Sequence, residues 1–364
     1  MSNIVTKTNT DIITKVNTLI SITNKIVEDN ILIPYRKGNK WGFCNLDKKI
    51  VINCIYDDAY QFIEGLAIVK FNSKCGLINK EGNLITPFDY DDIFSFSEGL
   101  VRVKLNGKYG FINKEGNLII PCMFDYADFF SEGLGRVKLD GKYGFINKEG
   151  KLIIPCNYDN ACIFKEGLAM VEIKGKQGFI DKHNDVIIPC NYDSTDDFSE
   201  GLAMVEINEK FGFIDKNDNL IIPFRYDYAD IFSEGLAKVE INEKFGFIDK
   251  NNNLIIPCIY DGVGIFFEGL TSIEIDNKLG FIDKTGQIVI PCIYENDVYN
   301  LTSFSNGLAT VKLNGKVGFI NKVGNLIIPF IYDFSEDFRE GLARVILNDK
   351  YGYINQKGTE FWED

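Results

Sequence analysis

A unit of about 34 residues is repeated about ten times along this chain, and no other feature constrains the fold as strongly. Each copy carries a glycine two residues after a lysine and just before Phe, Leu or Tyr. Every step between these glycines is 34 residues except the step from Gly280 to Gly318, which is 38. A fixed period in this range predicts a tandem array in which each unit buries its apolar face against its neighbours. The glycines are Gly42, Gly76, Gly110, Gly144, Gly178, Gly212, Gly246, Gly280, Gly318 and Gly352.

The sequence of one repeat predicts three short strands. Residues 99–105 alternate apolar and polar side chains, which is typical of a half-buried strand, and Asn106-Gly107 then favours a two-residue hairpin turn. Residues 108–113 form the second predicted strand. Residues 118–120 form a third, apolar on both faces and therefore expected to be well covered, and Pro121 is expected to end it. The sequence thus predicts an all-β array of about ten three-stranded antiparallel meander units.

The connection to the next repeat is longer and has its own recurring residues: a Tyr-Asp pair, a phenylalanine, and Glu-Gly-Leu. We expect the phenylalanine, for example Phe198, to be buried under the loop. The Asp and Glu carboxylates are expected to accept backbone N–H bonds that the loop would otherwise leave unpaired. The recurring strand glycine predicts a close approach by another backbone or side chain at that point.

Residues 33–364 are assigned to the array, and residues 1–32 to an N-terminal capping segment. Residues 10–28 place apolar side chains near a helical period, so the segment is predicted to be a short helix, either a cap or a partner-binding helix. Phe361-Trp362 is expected to cover the other end. An open, curved or superhelical solenoid is predicted, with a closed propeller-like arrangement as the alternative. Ten three-stranded units exceed the usual four to eight four-stranded propeller blades.

Composition indicates a soluble, acidic chain. There are 39 Lys+Arg and 52 Asp+Glu, for a formal net charge of −13. This balance disfavours nucleic acid and anionic membranes as partners and fits a basic protein partner. No apolar stretch is long enough for a membrane-spanning helix, and no signal peptide is visible at the N-terminus, so a cytoplasmic location is expected.

The nine cysteines indicate packing rather than metal binding or disulfides. Six of them share one repeat position, which Phe occupies in other repeats, and no CxxC pair occurs. Nothing indicates an enzyme either. The single histidine, His183, falls in a predicted exposed turn, and the glycines follow the repeat rather than a phosphate-binding motif. No catalytic residue, metal site or cofactor is therefore predicted.

The recurring motif resembles that of the WG (KWG) repeat family. It runs Lys-aromatic-Gly-aromatic-Ile-Asn/Asp, a turn glycine, Ile-Ile-Pro, Tyr-Asp, then Phe-x-Glu-Gly-Leu-Ala, over roughly residues 33–356. Only Trp41-Gly42 carries the literal Trp-Gly pair. The resemblance implies an adaptor or binding array, of a kind often found in bacteria, without implying a specific activity.

Function is expected where repeats differ. The leading prediction is a non-enzymatic scaffold for protein–protein interaction, with a contact surface formed by one row of strand residues and its neighbouring row. The four-residue insertion near residues 295–303 is either neutral drift or a second contact point. The alternative is a small-ligand or glycan sensor that uses aromatic positions such as Tyr109, Tyr143, Phe211 and Phe245. The candidate surface consists of Glu172, Glu206, Glu240, Glu274, Met170 and Met204.

Overall fold

The computed structural model describes residues 31–295 and 302–364, and every regular element in these ranges is a β-strand. The chain divides into two compact units, residues 1–89 with 361–364 and residues 90–360. The predicted N-terminal helix lies outside the described residues, apart from the last two positions of the capping segment.

Residues 126–158 form a typical sheet of the second unit. It has four antiparallel strands in chain order, Tyr126–Ser131, Leu134–Leu139, Lys142–Ile146 and Leu152–Tyr158. The corresponding strands of every repeat are called here the first, second, third and fourth strands.

The prediction of three strands per unit is therefore wrong, because part of the long connection forms the first strand. The cause is the Glu-Gly-Leu motif. Glu132 and Gly133 both have positive φ, 53° and 87°, and form a two-residue hairpin turn that pairs Ser131 with Leu134. Four strands is the number in a propeller blade, so the strand-count argument against a propeller-like arrangement fails.

The same pattern recurs along the described residues. First strands are Asp58–Ala59, Asp92–Ser97, Tyr126–Ser131, Asn160–Ala161, Ser194–Thr195, Tyr228–Ser233, Gly262–Val263 and Phe334–Ser335. Second strands are Ile33–Lys37, Leu66–Phe71, Leu100–Leu105, Leu134–Leu139, Ala169–Ile173, Ala203–Ile207, Leu236–Ile241, Leu270–Ile275, Leu308–Leu313 and Leu342–Leu347. Third strands are Lys40–Cys44, Lys74–Asn79, Lys108–Asn113, Lys142–Ile146, Lys176–Ile180, Lys210–Ile214, Lys244–Ile248, Lys278–Asp283, Lys316–Asn321 and Lys350–Asn355. Fourth strands are Ile50–Tyr56, Leu118–Phe124, Leu152–Tyr158, Val186–Tyr192, Leu220–Tyr226, Leu254–Tyr260, Ile288–Glu295 and Leu326–Tyr332.

The unit of residues 1–89 and 361–364 contains a sheet with an added strand. Trp362–Glu363 pairs in parallel with Ile33–Lys37, so that Trp362 lies opposite Arg36. Phe361 is fully buried, and Arg36 forms an ion pair with Asp364 at 2.9 Å. The expectation that Phe361-Trp362 covers the last repeat is wrong, since these residues belong to the sheet of the first repeat.

Within residues 90–360 the hydrophobic core lies between neighbouring sheets. The sheet of residues 160–192 packs Val171 and Ile180 against the preceding repeat, and Met170 and Phe179 against the following one. Both faces of the sheet are therefore covered. Phe198 is 1% exposed, which confirms its predicted burial, and its ring meets that of Phe179 edge-on at 4.9 Å.

The recurring strand glycine allows the fourth strand to come close. A Cβ built on Gly144 would lie 2.5 Å from the Ile154 carbonyl oxygen and 2.8 Å from the Cys156 nitrogen. The predicted close approach is confirmed, and the approaching group is backbone. The pairing register shifts at this point, between Phe145 opposite Ile154 and Tyr143 opposite Tyr158, as in a β-bulge.

In most sheets the fourth strand lies at the edge, and in the sheet of residues 92–124 it continues past the proline. Leu118 is 51% exposed and Ile119 is 39% exposed, whereas Ile120 is buried. The expectation that this strand is well covered, and that Pro121 ends it, is wrong. An edge strand has no neighbour on its outer side, and a proline is tolerated there because its missing N–H leaves no ladder bond unmade.

Candidate functional site

The carboxylates that all repeats share are neutralised within the fold. In the Tyr-Asp pair, Asp193 accepts the Asn208 N–H at 2.9 Å and forms an ion pair with Lys176. The hydrogen bond from Lys176 is the main cause of a pKa for Asp193 below the usual aspartate value. This aspartate therefore accepts a backbone N–H bond as predicted, but from the turn between the second and third strands rather than from the long connection.

The glutamate of Glu-Gly-Leu joins two consecutive repeats. Glu200 accepts the Gly235 N–H at 3.1 Å and lies 3.0 Å from the ammonium of Lys250. Burial alone would raise the pKa of Glu200, but the contacts with Lys250 and Gly235 outweigh burial and lower it. The same ion pair recurs at Glu98–Lys148, Glu132–Lys182, Glu166–Lys216, Glu234–Lys284 and Glu268–Lys322.

The four glutamates of the candidate surface differ from these shared carboxylates. We call Glu172, Glu206, Glu240 and Glu274 the acidic row. Each lies on a second strand with its backbone paired to the first and third strands, as Glu206 is to Ser194 and Phe211. Their side chains are partly buried and form no hydrogen bond or ion pair with any residue in the described ranges. The acidic row therefore carries carboxylates that the fold leaves without a cation.

The two methionines of the candidate surface are not at the surface. Met170 is 5% exposed and Met204 is 7% exposed, and both lie in hydrophobic clusters between neighbouring sheets. Their assignment to an outward-facing row assumed that one face of the second strand meets solvent. At Met170 and Met204 it does not, because the next sheet packs on that part of the face.

The row that contains the two methionines changes in chemical type from repeat to repeat. In the same position other repeats carry Arg102, Arg136, Lys238 and Ser272. Nε of both arginines and Oγ of Ser272 are buried without a hydrogen-bond partner among the described residues. Buried polar atoms are normally paired, so this row concentrates unsatisfied groups that sequence reasoning did not find. The available signal was the mixture of Arg, Met, Lys and Ser at one repeat position.

The aromatic residues named for the alternative prediction, a small-ligand or glycan sensor, are partly covered by cations and other rings. Tyr109 lies 5.5 Å from Tyr126 and has Lys104 over its ring at 5.2 Å. The Arg136 guanidinium lies 5.3 Å from the ring centroid of Tyr143. The rings of Phe211 and Phe245 both meet that of Tyr228, at 5.6 Å and 6.4 Å. These contacts are of the cation–π and aromatic kind that stabilise neighbouring strands and sheets.

The histidine and the cysteines, whose side chains could take part in catalysis or bind metal, lie in a turn and in packing positions. His183 is exposed in a turn, where its backbone N–H donates to Asp181 at 2.8 Å. All nine cysteines are unpaired, and the thiol of Cys190 lies 3.6 Å from the Val171 carbonyl oxygen. Burial raises the pKa of Cys190 above the usual thiol value. Within residues 31–295 and 302–364, no group of three or more His, Cys, Asp or Glu side chains could hold a metal ion.

Comparison with solved structures reveals a likeness of fold. A crystal structure described as the eukaryotic initiation factor is 12% identical with a TM-score of 0.51, covering 90% of this chain and 93% of that chain. BamB from Moraxella catarrhalis is 10% identical with a TM-score of 0.42, covering 84% and 95%. Hsv2p of Kluyveromyces lactis is 9% identical with a TM-score of 0.39, covering 65% and 95%. At these identities the likeness concerns the fold alone.

A comparison with curated protein sequences gave no match. No helix in the part of the chain that the structure describes is long and apolar enough to cross a membrane. The family model described as "WG containing repeat" matches nine consecutive segments, 41–75, 76–109, 109–143, 143–176, 178–211, 211–245, 245–278, 280–316 and 318–351. These segments span most of the chain and follow the same repeat. They are offset from the sheets: segment 143–176, for example, runs from the third strand of one sheet (Lys142–Ile146) to the second strand of the next (Ala169–Ile173). The chain belongs to the WG-repeat family.

Proposed function

We propose that this WG-repeat chain is a non-enzymatic scaffold that binds a protein partner, and that the acidic row contacts basic side chains of that partner. One observation carries the proposal. In most repeats the carboxylates of the Tyr-Asp and Glu-Gly-Leu motifs form ion pairs with lysines, as Asp193 and Glu200 do, whereas Glu172, Glu206, Glu240 and Glu274 form none with the described residues.

Electrostatics favours a cationic partner for such a row. A partly buried carboxylate is screened less by salt than a fully exposed one, and it interacts more strongly with a cation that reaches it. Four consecutive repeats present the same group at the same place in the sheet. An extended basic segment could therefore contact several of them at once, and complementary charge would fix its register and speed its association.

The proposal extends to the kind of partner and the compartment. The net charge of −13 opposes binding to nucleic acid and to anionic membranes, both of which require a basic face. Nine unpaired cysteines support a reducing compartment such as the cytoplasm. The glycan-sensor alternative receives less support, because Tyr109 and Tyr143 are partly covered by Lys104 and Arg136.

The proposal is tested by neutralising the row without changing its shape. Glu206→Gln combined with Glu240→Gln should weaken binding of a partner isolated by affinity capture, and should reduce the salt dependence of that binding. The matched control is Glu209→Gln with Glu243→Gln, which removes the same charge from exposed turn residues three positions away. If both double variants bind the partner like the unmodified chain at low and high salt, the acidic row is only solvated.

A further inference from the structure

A cavity of about 310 Å³ lies beside the 38-residue step of the repeat, within residues 279–337. The apolar part of the lining comes from Leu279, Val311 and Val317. Phe334, which is 45% exposed, also lines the cavity. The volume is at the lower end of the range for ligand pockets. It therefore suits a single side chain or a small molecule.

Four carboxylates line this cavity, and two of them are already engaged. Asp333 forms an ion pair with Lys316 and accepts the Asn348 N–H at 2.8 Å. Glu295 accepts the Gly315 N–H at 3.1 Å. These two groups hold the turns between second and third strands, as their equivalents do elsewhere in the chain.

The other two carboxylates, Glu336 and Asp337, are adjacent in sequence. Asp337 receives only a long contact of 3.4 Å from the Thr310 hydroxyl, and the Glu336 side chain forms no hydrogen bond or ion pair with the described residues. Glu336 and Asp337 are both exposed to solvent. Partial desolvation nevertheless raises the pKa of Asp337, and Thr310 and Arg339 only partly oppose this. Lys312 also lines the cavity, so the lining carries four carboxylates against one ammonium group.

Hydroxyl groups complete the polar part of the lining. Thr302, Ser303, Thr310 and Ser335 all contribute to the wall. Oγ1 of Thr302 is buried and has no hydrogen-bond partner among the described residues. Each serine or threonine hydroxyl can donate one hydrogen bond and accept two, so this wall can accept hydrogen bonds from a bound polar group.

We propose that this cavity binds an alkylammonium group, which in the proposed scaffold is the side chain of a lysine on the protein partner. An ammonium has three donors, and the Glu336 and Asp337 carboxylates with the surrounding hydroxyls supply acceptors. The alkyl stem would lie against the apolar wall while Phe334 offers a ring face to the charge. Assigning the source to a protein lysine rests on the proposed function; the preference of the cavity for an alkylammonium does not.

The test uses n-butylammonium as the probe and the full chain as the receptor, with binding followed by NMR titration. The unmodified chain should bind the probe saturably. The double variant Glu336→Gln with Asp337→Asn should bind it at least about tenfold more weakly, because it loses hydrogen bonds to charged acceptors. The uncharged analogue n-butanol should bind the unmodified chain at least about tenfold more weakly than n-butylammonium for the same reason.

The control for charge and folding is Glu209→Gln with Glu243→Gln, which should leave the probe affinity unchanged. Circular dichroism would confirm that both double variants keep the β-sheet signal. No saturable binding, equal affinity for n-butanol, or equal affinity of the Glu336/Asp337 variant would overturn the proposal. The scaffold function is judged separately, by the effect of the Glu206 and Glu240 changes on a captured protein partner.

Discussion

The strongest stability prediction concerns the phenylalanine that recurs in or just after the first strand, and two adjacent residues allow a matched comparison. Phe130 is 2% exposed and its ring meets that of Phe111 edge-on at 5.0 Å, whereas its neighbour Phe129 is 46% exposed. Phe130→Ala removes a buried aromatic side chain, and Phe129→Ala removes the same atoms from the surface. Comparing the two variants thus shows how much of the change in stability comes from burial of the ring rather than from the loss of a phenylalanine at any position in the strand.

The expected cost follows from what Phe130 contacts. Burial of a phenylalanine side chain contributes about 1.5–3 kcal/mol, and an edge-to-face pair adds about 0.5–1.5 kcal/mol. With the cavity left behind, Phe130→Ala should lower the free energy of unfolding by about 3–5 kcal/mol. Phe129→Ala should change it by about 0.5 kcal/mol or less.

Urea denaturation followed by circular dichroism would measure both variants. Since units of a repeat array contact only their neighbours, hydrogen exchange in residues 126–158 would show whether the loss is local. A Phe130→Ala cost below about 1 kcal/mol, or one equal to that of Phe129→Ala, would refute the assignment of Phe130 to the core between sheets.

Four further predictions follow from the same contacts. Gly144→Ala should destabilise the chain by about 1–3 kcal/mol in urea denaturation, because its Cβ would overlap the Ile154 carbonyl oxygen; a neutral effect would contradict the close approach. Cys122, Cys156, Cys190 and Cys258 should react slowly with a thiol reagent near pH 7 until the chain is denatured, because burial raises their pKa values; rapid labelling of the folded chain would contradict this. The lowered pKa of Glu200 means that its ion pair stabilises the fold above the unfolded glutamate pKa of about 4.3 and ceases to do so as the pH falls through the folded value, so the stability difference between the unmodified chain and Glu200→Gln should shrink from pH 7 to pH 3. The raised pKa of Asp337 means that n-butylammonium binding should begin to weaken at a pH above the ordinary aspartate value of about 3.9, and titrations between pH 7 and pH 4 would show whether it does.

Much of the local structure could be predicted from the sequence, because it depends on residues close together in the chain. Asn106-Gly107 specified a two-residue turn, and both residues have positive φ. The glycine represented by Gly144 specified a close approach, and the recurrence of a phenylalanine at Phe198 specified burial. The Glu-Gly turn was equally local, but Glu132 was interpreted as a loop acceptor rather than as a hairpin residue.

The sequence also located the acidic row, but it could not show how far these carboxylates are buried or whether a cation pairs with them. Alternation along a strand shows that Met170 and Glu172 share a face, yet it cannot show whether that face meets solvent or another sheet. The packing of the following sheet decided this, burying Met170 and leaving Glu172 partly exposed without a cation. Glu200 has a lysine partner in Lys250, 50 positions away in the neighbouring repeat, whereas Glu206 has none among the described residues. That difference depends on contacts between sheets.

By itself the sequence determined the period, three of the four strands, the Asn-Gly hairpin turn and the family, since each is written into the 34 residues of one unit. The tertiary structure alone decided which apolar residues are covered, so that Ile120 is buried while Leu118, two positions before it, is exposed. It also brought Leu279, Thr310 and Asp337 around one cavity, although they are far apart in the chain. The physical reason is that burial and ion pairing depend on the packing of one sheet against the next, which a strand's own residues do not specify.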